Sequence, residues 1–377
     1  MNYTYQLYLC ITLFLLLTGR AFSQQTSHCQ NTASPIGINL SLWKKIATQP
    51  NDTIGQTVFN LGMVSTMNQL NGIGLNILGS KVKRNANGLQ VSGITQIVNE
   101  QSNGISLAGL VNIKGLDMNG ISFAGITNIT GLTTNGITIG GLINFTGKRA
   151  AGLQLAGIGN ITGESSSGIS IGGLINVTGN DMHGIQLSGI MNISTQSRGA
   201  QLAPVNVTVK GKGVQIGLVN YYQEQFDGIQ LGLVNANKNT HIQLMAYGGS
   251  RAKINLAVRF KNELFYTILG TGSPYLDFDD KFSGSLFYRT GMEIPLYKKL
   301  FFSGDMGYQH IETFKNKRQN HPARFYALQA RLNLEWRANT QIGYFISGGY
   351  SHERIYQKSS PYQHKPIIEA GVVIYKL

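Results

Sequence analysis

Residues 103–118 read NGISLAGLVNIKGLDM, and closely similar 16-residue segments precede and follow them. Self-similarity at a fixed period is typical of stacked units, none of which can bury its apolar side alone. The sequence therefore predicts a repeat architecture over residues 72–240. The units begin at evenly spaced glycines, which are Gly72, Gly88, Gly104, Gly120, Gly136, Gly152, Gly168 and Gly184.

Aliphatic residues alternate over short distances within each unit. They stand one, three, six and nine positions after the first glycine, and Ile105 and Leu107 occupy the first two of these positions. This is the period of short strands, and glycine at about every fifth or sixth position disfavours helix. We therefore predict an all-β fold in which the aliphatic positions, including Ile171, face a protein core and Ser166 lies in an exposed turn.

One asparagine per unit stands eight positions after the first glycine. A polar side chain repeated at one place among apolar neighbours predicts a ladder in which each amide bonds to the next coil. Several of these asparagines also read as Asn-x-Ser/Thr glycan acceptors, but bulky glycans repeated along a close stack are implausible. The predicted structural ladder consists of Asn112, Asn128, Asn144, Asn160, Asn176 and Asn192.

Two folds fit a 16-residue unit. One is a β-solenoid with parallel, in-register strands, and the other is an antiparallel meander whose strands could cross a membrane as a barrel. Membrane barrels place aromatic residues in girdles at both interfaces, whereas residues 72–212 contain only Phe123 and Phe145 as aromatics. This distribution favours the solenoid, with the meander as the alternative.

After Gly184 the unit tightens to GVQIGLVN (213–220) and GIQLGLVN (228–235). These segments resemble the Gly-x-Gln-x-Gly-Leu-x-Asn surface repeats that were first described in leptospiral proteins and that occur in exported proteins of Bacteroidetes-type bacteria. The resemblance covers about residues 72–240 and is strong only in the last two units. It implies a cell-surface or outer-membrane location in a Gram-negative bacterium and no particular activity.

Residues 241–377 have longer alternating strands and most of the aromatic residues. Between Tyr326 and Trp336 every second side chain is apolar and the others are polar, which is the lipid-out, lumen-in pattern of outer-membrane barrels. We predict an antiparallel outer-membrane-type β-barrel here, with a soluble sandwich as the alternative, and residues 24–71 as further strands or a cap. The predicted strands are 241–248, 252–260, 263–271, 283–295, 299–313, 323–337, 340–355 and 365–377.

Residues 1–23 contain a short apolar run and a small-residue site, which predict a secretory signal peptide cleaved before Gln24. Cys10 would leave with this segment, so that Cys29 would remain without an internal disulfide partner. The net charge of +14 would suggest nucleic acid in a cytoplasmic protein, but export excludes it. The expected partners are outer-membrane lipid or lipopolysaccharide, with acidic glycans or a host surface as further candidates.

The sequence predicts no catalytic, cofactor-binding or metal-binding site. The acids of the repeats, Glu100, Asp117, Glu164 and Asp181, lie outside the strand cores and have no pairing that recurs between units. The groups that a hydrolase needs occur in Ser303, Asp305, His310 and Glu312. We interpret these residues instead as a polar network that faces the lumen. The residues Asp277, Asp279 and Asp280 lack the glycine and distal glutamate of a calcium loop.

The leading functional hypothesis is therefore a non-enzymatic outer-membrane surface protein with a structural, adhesive or ligand-binding role. A passive outer-membrane channel is the second hypothesis, and a barrel lipid hydrolase is the third. A channel should give conductance in planar bilayers, a hydrolase should release fatty acid, and a surface protein of the first kind should do neither. Measuring conductance and fatty-acid release therefore separates the three hypotheses.

Overall fold

A computed structural model describes residues 36–43, 46–48, 55–316, 323–356 and 361–375. The predicted signal peptide, its cleavage site before Gln24, Cys10 and Cys29 lie outside these residues. The described chain is all-β. None of its described segments is a helix long and apolar enough to span a bilayer.

The strands of the first part are β1 (Ile36–Trp43), β2 (Ile46–Ala47), β3 (Gln56–Met67), β4 (Gln69–Val82), β5 (Ala86–Ser92), β6 (Thr95–Val98), β7 (Ser102–Ala108), β8 (Val111–Lys114), β9 (Met118–Ala124), β10 (Thr127–Thr130), β11 (Thr133–Gly140), β12 (Ile143–Thr146), β13 (Arg149–Ala156), β14 (Gly159–Thr162), β15 (Ser165–Gly172) and β16 (Ile175–Ser188). They are followed by β17 (Met191–Leu202), β18 (Val205–Ile216), β19 (Val219–Leu231), β20 (Val234–Asn237), β21 (His241–Gly249), β22 (Ile254–Asn262), β23 (Phe265–Ser273), β24 (Leu276–Asp277), β25 (Lys281–Tyr297), β26 (Leu300–Asn316), β27 (Arg324–Arg337), β28 (Ile342–Ile355) and β29 (Gln363–Ile374).

The chain divides into two compact units between Gly179 and Asn180, within β16. The first unit consists of parallel coils. The second unit contains further parallel coils as far as β20 and then an antiparallel sheet from β21 to β29.

The coils of the first unit pair in parallel at a register of 16 residues. Asn128 of β10 is opposite Asn112 of β8 and Asn144 of β12, and Gly136 of β11 is opposite Gly120 and Gly152. An antiparallel meander cannot produce this register, so the predicted parallel β-solenoid is confirmed and the meander alternative is wrong. The solenoid has about 12 turns within the described residues.

Close stacking explains the glycine spacing. Gly136 has a φ of 122°, and a Cβ atom there would lie 2.1 Å from the carbonyl oxygen of Gly120 in the preceding coil. A Cβ at Gly141, in the next corner, would lie 1.9 Å from the oxygen of Gly125. Glycine is therefore required both by the positive φ and by the distance between coils.

The solenoid interior is mainly polar, which corrects the prediction of an aliphatic core, although the first coils bury an apolar cluster that includes Leu70 and Val98. In the coil of residues 103–118, Ser106 and Asn112 are buried, whereas Ile105 is 41% exposed and Leu110 is 42% exposed. The coil is narrow, with strands of seven and four residues facing each other. Its interior holds alanine side chains together with serine and amide side chains that hydrogen-bond to one another, and most of the bulkier aliphatic side chains point outward.

Two individual predictions fail for the same reason. Ile171 is only half-buried and lies on the outward side of β15. Ser166 is buried within this strand, and its hydroxyl is 2.7 Å from the hydroxyl of Thr178. Ser166 is therefore an interior strand residue and not an exposed turn.

The antiparallel sheet has a ring of pairings. Each of its seven successive pairs from β21 to β29, with the short β24 set aside, is antiparallel, and β29 also pairs with β21 through Met245 opposite Val373. The eight long strands overlap the eight predicted segments. Adjacent strands are joined by tight turns at Glu263, with φ 46°, and at Lys298, with φ 40°.

The two faces of this sheet follow the predicted alternation. Leu332 is 59% exposed and Trp336 is 52% exposed, whereas Arg331, Asn333 and Glu335 between them are buried. The inner face of the sheet thus carries its charged and amide side chains together with a cluster of buried aliphatic and aromatic side chains, and the outer face carries exposed aliphatic and aromatic side chains.

Candidate functional site

The predicted asparagine column lies in the solenoid interior of the first unit. The amide nitrogen of Asn112 donates to the amide oxygen of Asn128 at 3.1 Å, and the bonds from Asn128 to Asn144, Asn144 to Asn160 and Asn160 to Asn176 are each 2.9 Å. Each amide also donates to a backbone carbonyl in the next coil, as Asn144 does to Leu155 at 2.7 Å. These residues join coils and form no open ligand site.

Asn192, the sixth predicted member, lies in the second unit. Its amide donates to Asn206 at 3.1 Å, Asn206 donates to Asn220 at 2.9 Å, and Asn220 donates to Asn235 at 2.8 Å. The column therefore continues through residues in which the glycine spacing shortens to 14 and 15, because the asparagines keep the same place in each coil.

Two further amide columns were missed in the sequence. One lies on the outer edge, where the asparagine before the first glycine of each unit donates to its counterpart one coil earlier at 2.6–3.0 Å, as Asn87 does to Asn71 and Asn135 to Asn119. The other is internal and runs from Gln186 to Gln230 at 2.6–3.0 Å. The recurring Asn-Gly and Gly-x-Gln pairs are the signals in the sequence from which both columns could be predicted.

The charged residues of the solenoid share one edge. Between residues 86 and 237, every charged side chain except the buried Lys114 lies at least partly exposed between the asparagine-column position of one coil and the first glycine of the next. We call this strip the charged edge; it consists of Glu100, Asp117, Lys148, Arg149, Glu164, Asp181, Arg198, Lys210, Lys212, Glu224 and Asp227. Some of these charges pair between coils, as Lys210 does with Glu224 at 3.2 Å. The four acids of the repeats that the sequence analysis considered, Glu100, Asp117, Glu164 and Asp181, all lie here.

The rest of the outer surface is aliphatic. We call the positions one, three, six and nine residues after each first glycine the aliphatic sides of the solenoid. Their exposed fractions are similar in both units, with 45% for Leu142, 44% for Leu174 and 43% for Leu187. Contiguous exposed apolar surface of this kind marks a binding or membrane surface.

Lys114 is the exception among the charged residues of the solenoid. It replaces the threonine that occupies the same register in the following coil, Thr130, and is 1% exposed. Its ammonium nitrogen lies 2.9 Å from the hydroxyl of Ser106. Burial lowers the pKa of Lys114 from 10.5 to about 7, since desolvation penalises the charged form.

The interior of the antiparallel sheet contains a network of ion pairs beside a cluster of buried apolar and aromatic side chains. Arg259 donates to both carboxylate oxygens of Glu335 at 2.7 and 3.2 Å, and it lies 3.6 Å from Glu293. Arg331 pairs with Glu369 at 2.9 Å. Buried charges are tolerated when they are paired and hydrogen-bonded, so this network explains how the charged side chains occupy the interior.

The residues considered for hydrolysis are not assembled into a catalytic group. Ser303 and Asp305 face the interior, where the amide of Asn333 donates to both, at 3.1 and 2.8 Å. His310 faces outward, and its ring nitrogen lies 2.8 Å from the hydroxyl of Tyr356. Glu312 pairs with the exposed Arg324. The histidine and the serine are therefore on opposite faces of β26.

The acidic stretch at 277–280 forms a turn. The carboxylate of Asp277 accepts bonds from the backbone nitrogens of Asp279 at 3.0 Å and Asp280 at 3.1 Å. Among the described residues, no group of three or more metal-ligating side chains has the geometry of a metal site.

Exposed aromatic side chains on the antiparallel sheet lie towards the two strand ends. Near the short turns are Tyr297, Trp336 and Tyr344, with the last two stacked at 6.1 Å. Near the long connections, the ring centroid of Tyr326 lies 5.2 Å from that of Tyr356 and 6.4 Å from that of Tyr362. Between these belts the exposed residues are mainly aliphatic, which are Leu286, Met306, Leu328, Leu332, Leu334, Ile346 and Ile368.

In the second unit, the last coil of the solenoid contacts the outside of this sheet. The hydroxyl of Tyr288 donates to the backbone carbonyl oxygen of Gly232 at 3.0 Å. The side-chain amide of Asn262 donates to the backbone carbonyl oxygen of Asn235 at 2.5 Å. Beside these bonds is an open apolar cleft of about 820 Å³, which is lined by Leu233, the outward Leu256 and Leu286, and their neighbours.

A polar cavity of about 1030 Å³ lies at the short-turn end of the sheet. Lys261, Lys299 and Arg337 contribute cations to its lining, and Glu263 contributes an acid. Lys261 and Arg337 both pair with the buried Glu293. Two of the three cations are therefore already committed to the interior network.

No protein-family model and no curated protein matches the chain. Among solved structures, the crystal structure of Neisserial surface protein A is similar to part of it, at 8% sequence identity, with 36% of this chain and 96% of that chain covered and a TM-score of 0.26.

Proposed function

We propose that this chain is a non-enzymatic outer-membrane protein whose antiparallel sheet is a lipid-embedded β-barrel and whose repeats serve a structural, adhesive or ligand-binding role at the cell surface. The observation that carries the proposal is the inverted sheet of β21–β29, with paired charges such as Arg259 and Glu335 inside and an aliphatic band between two aromatic belts outside. A closed sheet satisfies its backbone groups within itself, and such a band matches hydrocarbon between two interfaces.

The same observations disfavour the two alternative functions. A passive channel needs an open, water-filled lumen, whereas the guanidinium groups of Arg259, Arg289 and Arg331 lie buried across this interior and are paired with carboxylates. A lipid hydrolase needs its histidine beside its nucleophile, whereas His310 and Ser303 lie on opposite faces.

The proposed partners follow from location and charge. Outer-membrane lipid would contact the aliphatic band, and phosphates of lipopolysaccharide, acidic glycans or a host surface would be attracted by the net charge of +14. The resemblance of residues 213–235 to leptospiral-type surface repeats is consistent with this location.

Two arginine substitutions test the proposed membrane barrel. Leu332→Arg places a charge in the aliphatic band and should destabilise the protein in lipid vesicles by about 2–4 kcal/mol. Thr340→Arg, in the exposed turn between β27 and β28, should change stability by no more than about 0.5 kcal/mol. Urea unfolding from vesicles, followed by tryptophan fluorescence, measures both, and equal effects would contradict a lipid-facing Leu332.

Cell fractionation and two activity assays complete the test. The chain should sediment with outer membranes, give no steady conductance in planar bilayers and release no fatty acid from phospholipid. Single-channel conductance would move the assignment to a channel. Fatty-acid release that depends on Ser303 would move it to a hydrolase.

A further inference from the structure

We propose that the aliphatic sides of the solenoid contact the acyl chains of the bilayer while its charged edge remains in water, so that the repeats are a membrane-associated element and not a free extension. The inference rests on the proposed outer-membrane location. It assigns a second lipid surface to residues outside the barrel.

The first argument is the segregation of side chains around each coil. In the first unit Ile105, Leu110 and Ile113 point outward on two sides and at the corner between them, whereas Asp117 lies at the opposite corner. Since the coils stack in register, each of these positions forms a continuous strip. A polar strip opposite a broad apolar surface is the arrangement of elements that lie in a membrane interface.

The second argument is that the solenoid satisfies its own backbone. Hydrocarbon accepts only structures whose peptide groups are bonded internally. The strands pair between coils, and the apolar corners also pair: the nitrogen of Leu110 donates to the oxygen of Ile94 at 2.9 Å, and that of Leu142 donates to Ile126 at 2.8 Å. The outward aliphatic sides therefore present side chains over an already bonded backbone.

The third argument is composition, which favours lipid over a protein partner. The cores of protein interfaces are enriched in tyrosine, tryptophan and arginine. The aliphatic sides consist mainly of isoleucine, leucine and valine, and Phe123 and Phe145 are the only aromatics in residues 72–212. The apolar surface also covers two sides and a corner, whereas one flat partner would cover one side.

The fourth argument is continuity with the barrel surface. In the second unit, Tyr288 on the outer wall of the sheet donates to Gly232 in the last coil, and the cleft beside this contact joins Leu233 of the coil to Leu256 and Leu286 of the wall. If the wall is in hydrocarbon, then the adjoining aliphatic side of the last coil meets the same acyl chains.

Fluorescence quenching at three single cysteines tests the proposal in the full chain. In a Cys10→Ser, Cys29→Ser background, a bimane label is placed by Leu174→Cys on an aliphatic side, by Glu164→Cys on the charged edge, and by Leu332→Cys in the barrel band. The protein is reconstituted in phosphatidylethanolamine–phosphatidylglycerol vesicles, with nitroxide-labelled acyl chains as the lipid quencher and iodide as the aqueous quencher.

We expect acyl-chain nitroxide to reduce the fluorescence at residue 174 about as much as at residue 332, and iodide to quench residue 164 alone. Quenching of 332 but not of 174 by lipid, with iodide reaching 174, would overturn the lipid contact of the solenoid and leave the proposed function intact. Shielding of 174 from both quenchers would assign the surface to a second copy or another protein and would also overturn it. Failure of quenching at 332 would instead remove the proposed membrane barrel.

Discussion

Replacing Lys114 by methionine should make the solenoid more stable at neutral pH. Lys114→Met keeps the length of the buried side chain and removes the ammonium group that burial holds at a pKa of about 7. The folded state binds this proton only below pH 7, whereas the unfolded chain binds it up to about pH 10.5. Between these values the unfolded state holds more protons, so the stability of the native protein rises with pH.

The magnitude follows from the two pKa values. The interval from about 7 to 10.5 corresponds to roughly 5 kcal/mol, at about 1.4 kcal/mol for each pH unit. The variant should therefore exceed the native protein by several kcal/mol at pH 7, and the difference should shrink steadily towards pH 10.5. Other titrating groups affect both proteins equally and cancel in the difference.

Guanidinium unfolding across pH measures this effect in the full chain in detergent micelles. The chain has two tryptophans, so Trp336→Phe leaves Trp43, which lies in the same compact unit as Lys114, as the reporter. Lys148→Met, on the exposed charged edge, is the matched control and should show no such difference. Parallel curves for the native protein and Lys114→Met between pH 7 and 10 would refute a neutral buried lysine.

Three further predictions concern the amide column, the interior of the antiparallel sheet and export. Asn144→Leu should destabilise the solenoid by roughly 1–3 kcal/mol because neighbouring amides lose partners, whereas Lys148→Ser should change it by less than about 0.5 kcal/mol; equal losses in thermal melts would contradict an internal column. Glu335→Gln should cost about 3–5 kcal/mol by stripping a buried arginine of its carboxylate, and Glu312→Gln, in an exposed pair, at most about 1 kcal/mol, as measured by urea unfolding from vesicles. The mature chain should begin near Gln24, and an intact mass that includes residues 1–23 in purified outer membranes would disprove the cleavage.

The strand pattern was predictable because it depends on local chemistry. Glycine spacing marked the corners where Gly136 adopts a positive φ, and the asparagine period marked the in-register stack that joins Asn128 to Asn144. The absence of tyrosine and tryptophan from residues 72–212 correctly favoured parallel coils over a meander. The pairing of Arg259 with Glu335 was not predictable, since the two residues are 76 positions apart and only the closure of the sheet brings them together.

The prediction that the aliphatic side chains of the repeats face the solenoid core was wrong. Alternation assigns Ile105 and Ser106 to opposite faces, but it does not say which face is buried. Between residues 326 and 336 the polar face carries Arg331 and Glu335, and the predicted lipid-out, lumen-in pattern placed these side chains inside. The polar face of the repeats carries serine, threonine and the asparagines of the predicted internal column, whereas the prediction also placed the aliphatic side chains of the opposite face in the core.

Both parts of the chain follow one rule once burial is known. Small polar side chains fit the narrow coil and hydrogen-bond along the stack, as Asn144 does to Asn160. Ion pairs such as Arg331 with Glu369 occupy the interior of the antiparallel sheet. In each case hydrogen bonds hold much of the interior beside a smaller apolar cluster, and many large aliphatic side chains are left outside. A water-soluble surface protein gains nothing from that arrangement, because exposed leucine and isoleucine contribute little to stability in water. In contact with acyl chains the same side chains match their surroundings, and this is why we propose that the aliphatic sides of the solenoid and the outer face of the antiparallel sheet lie against lipid.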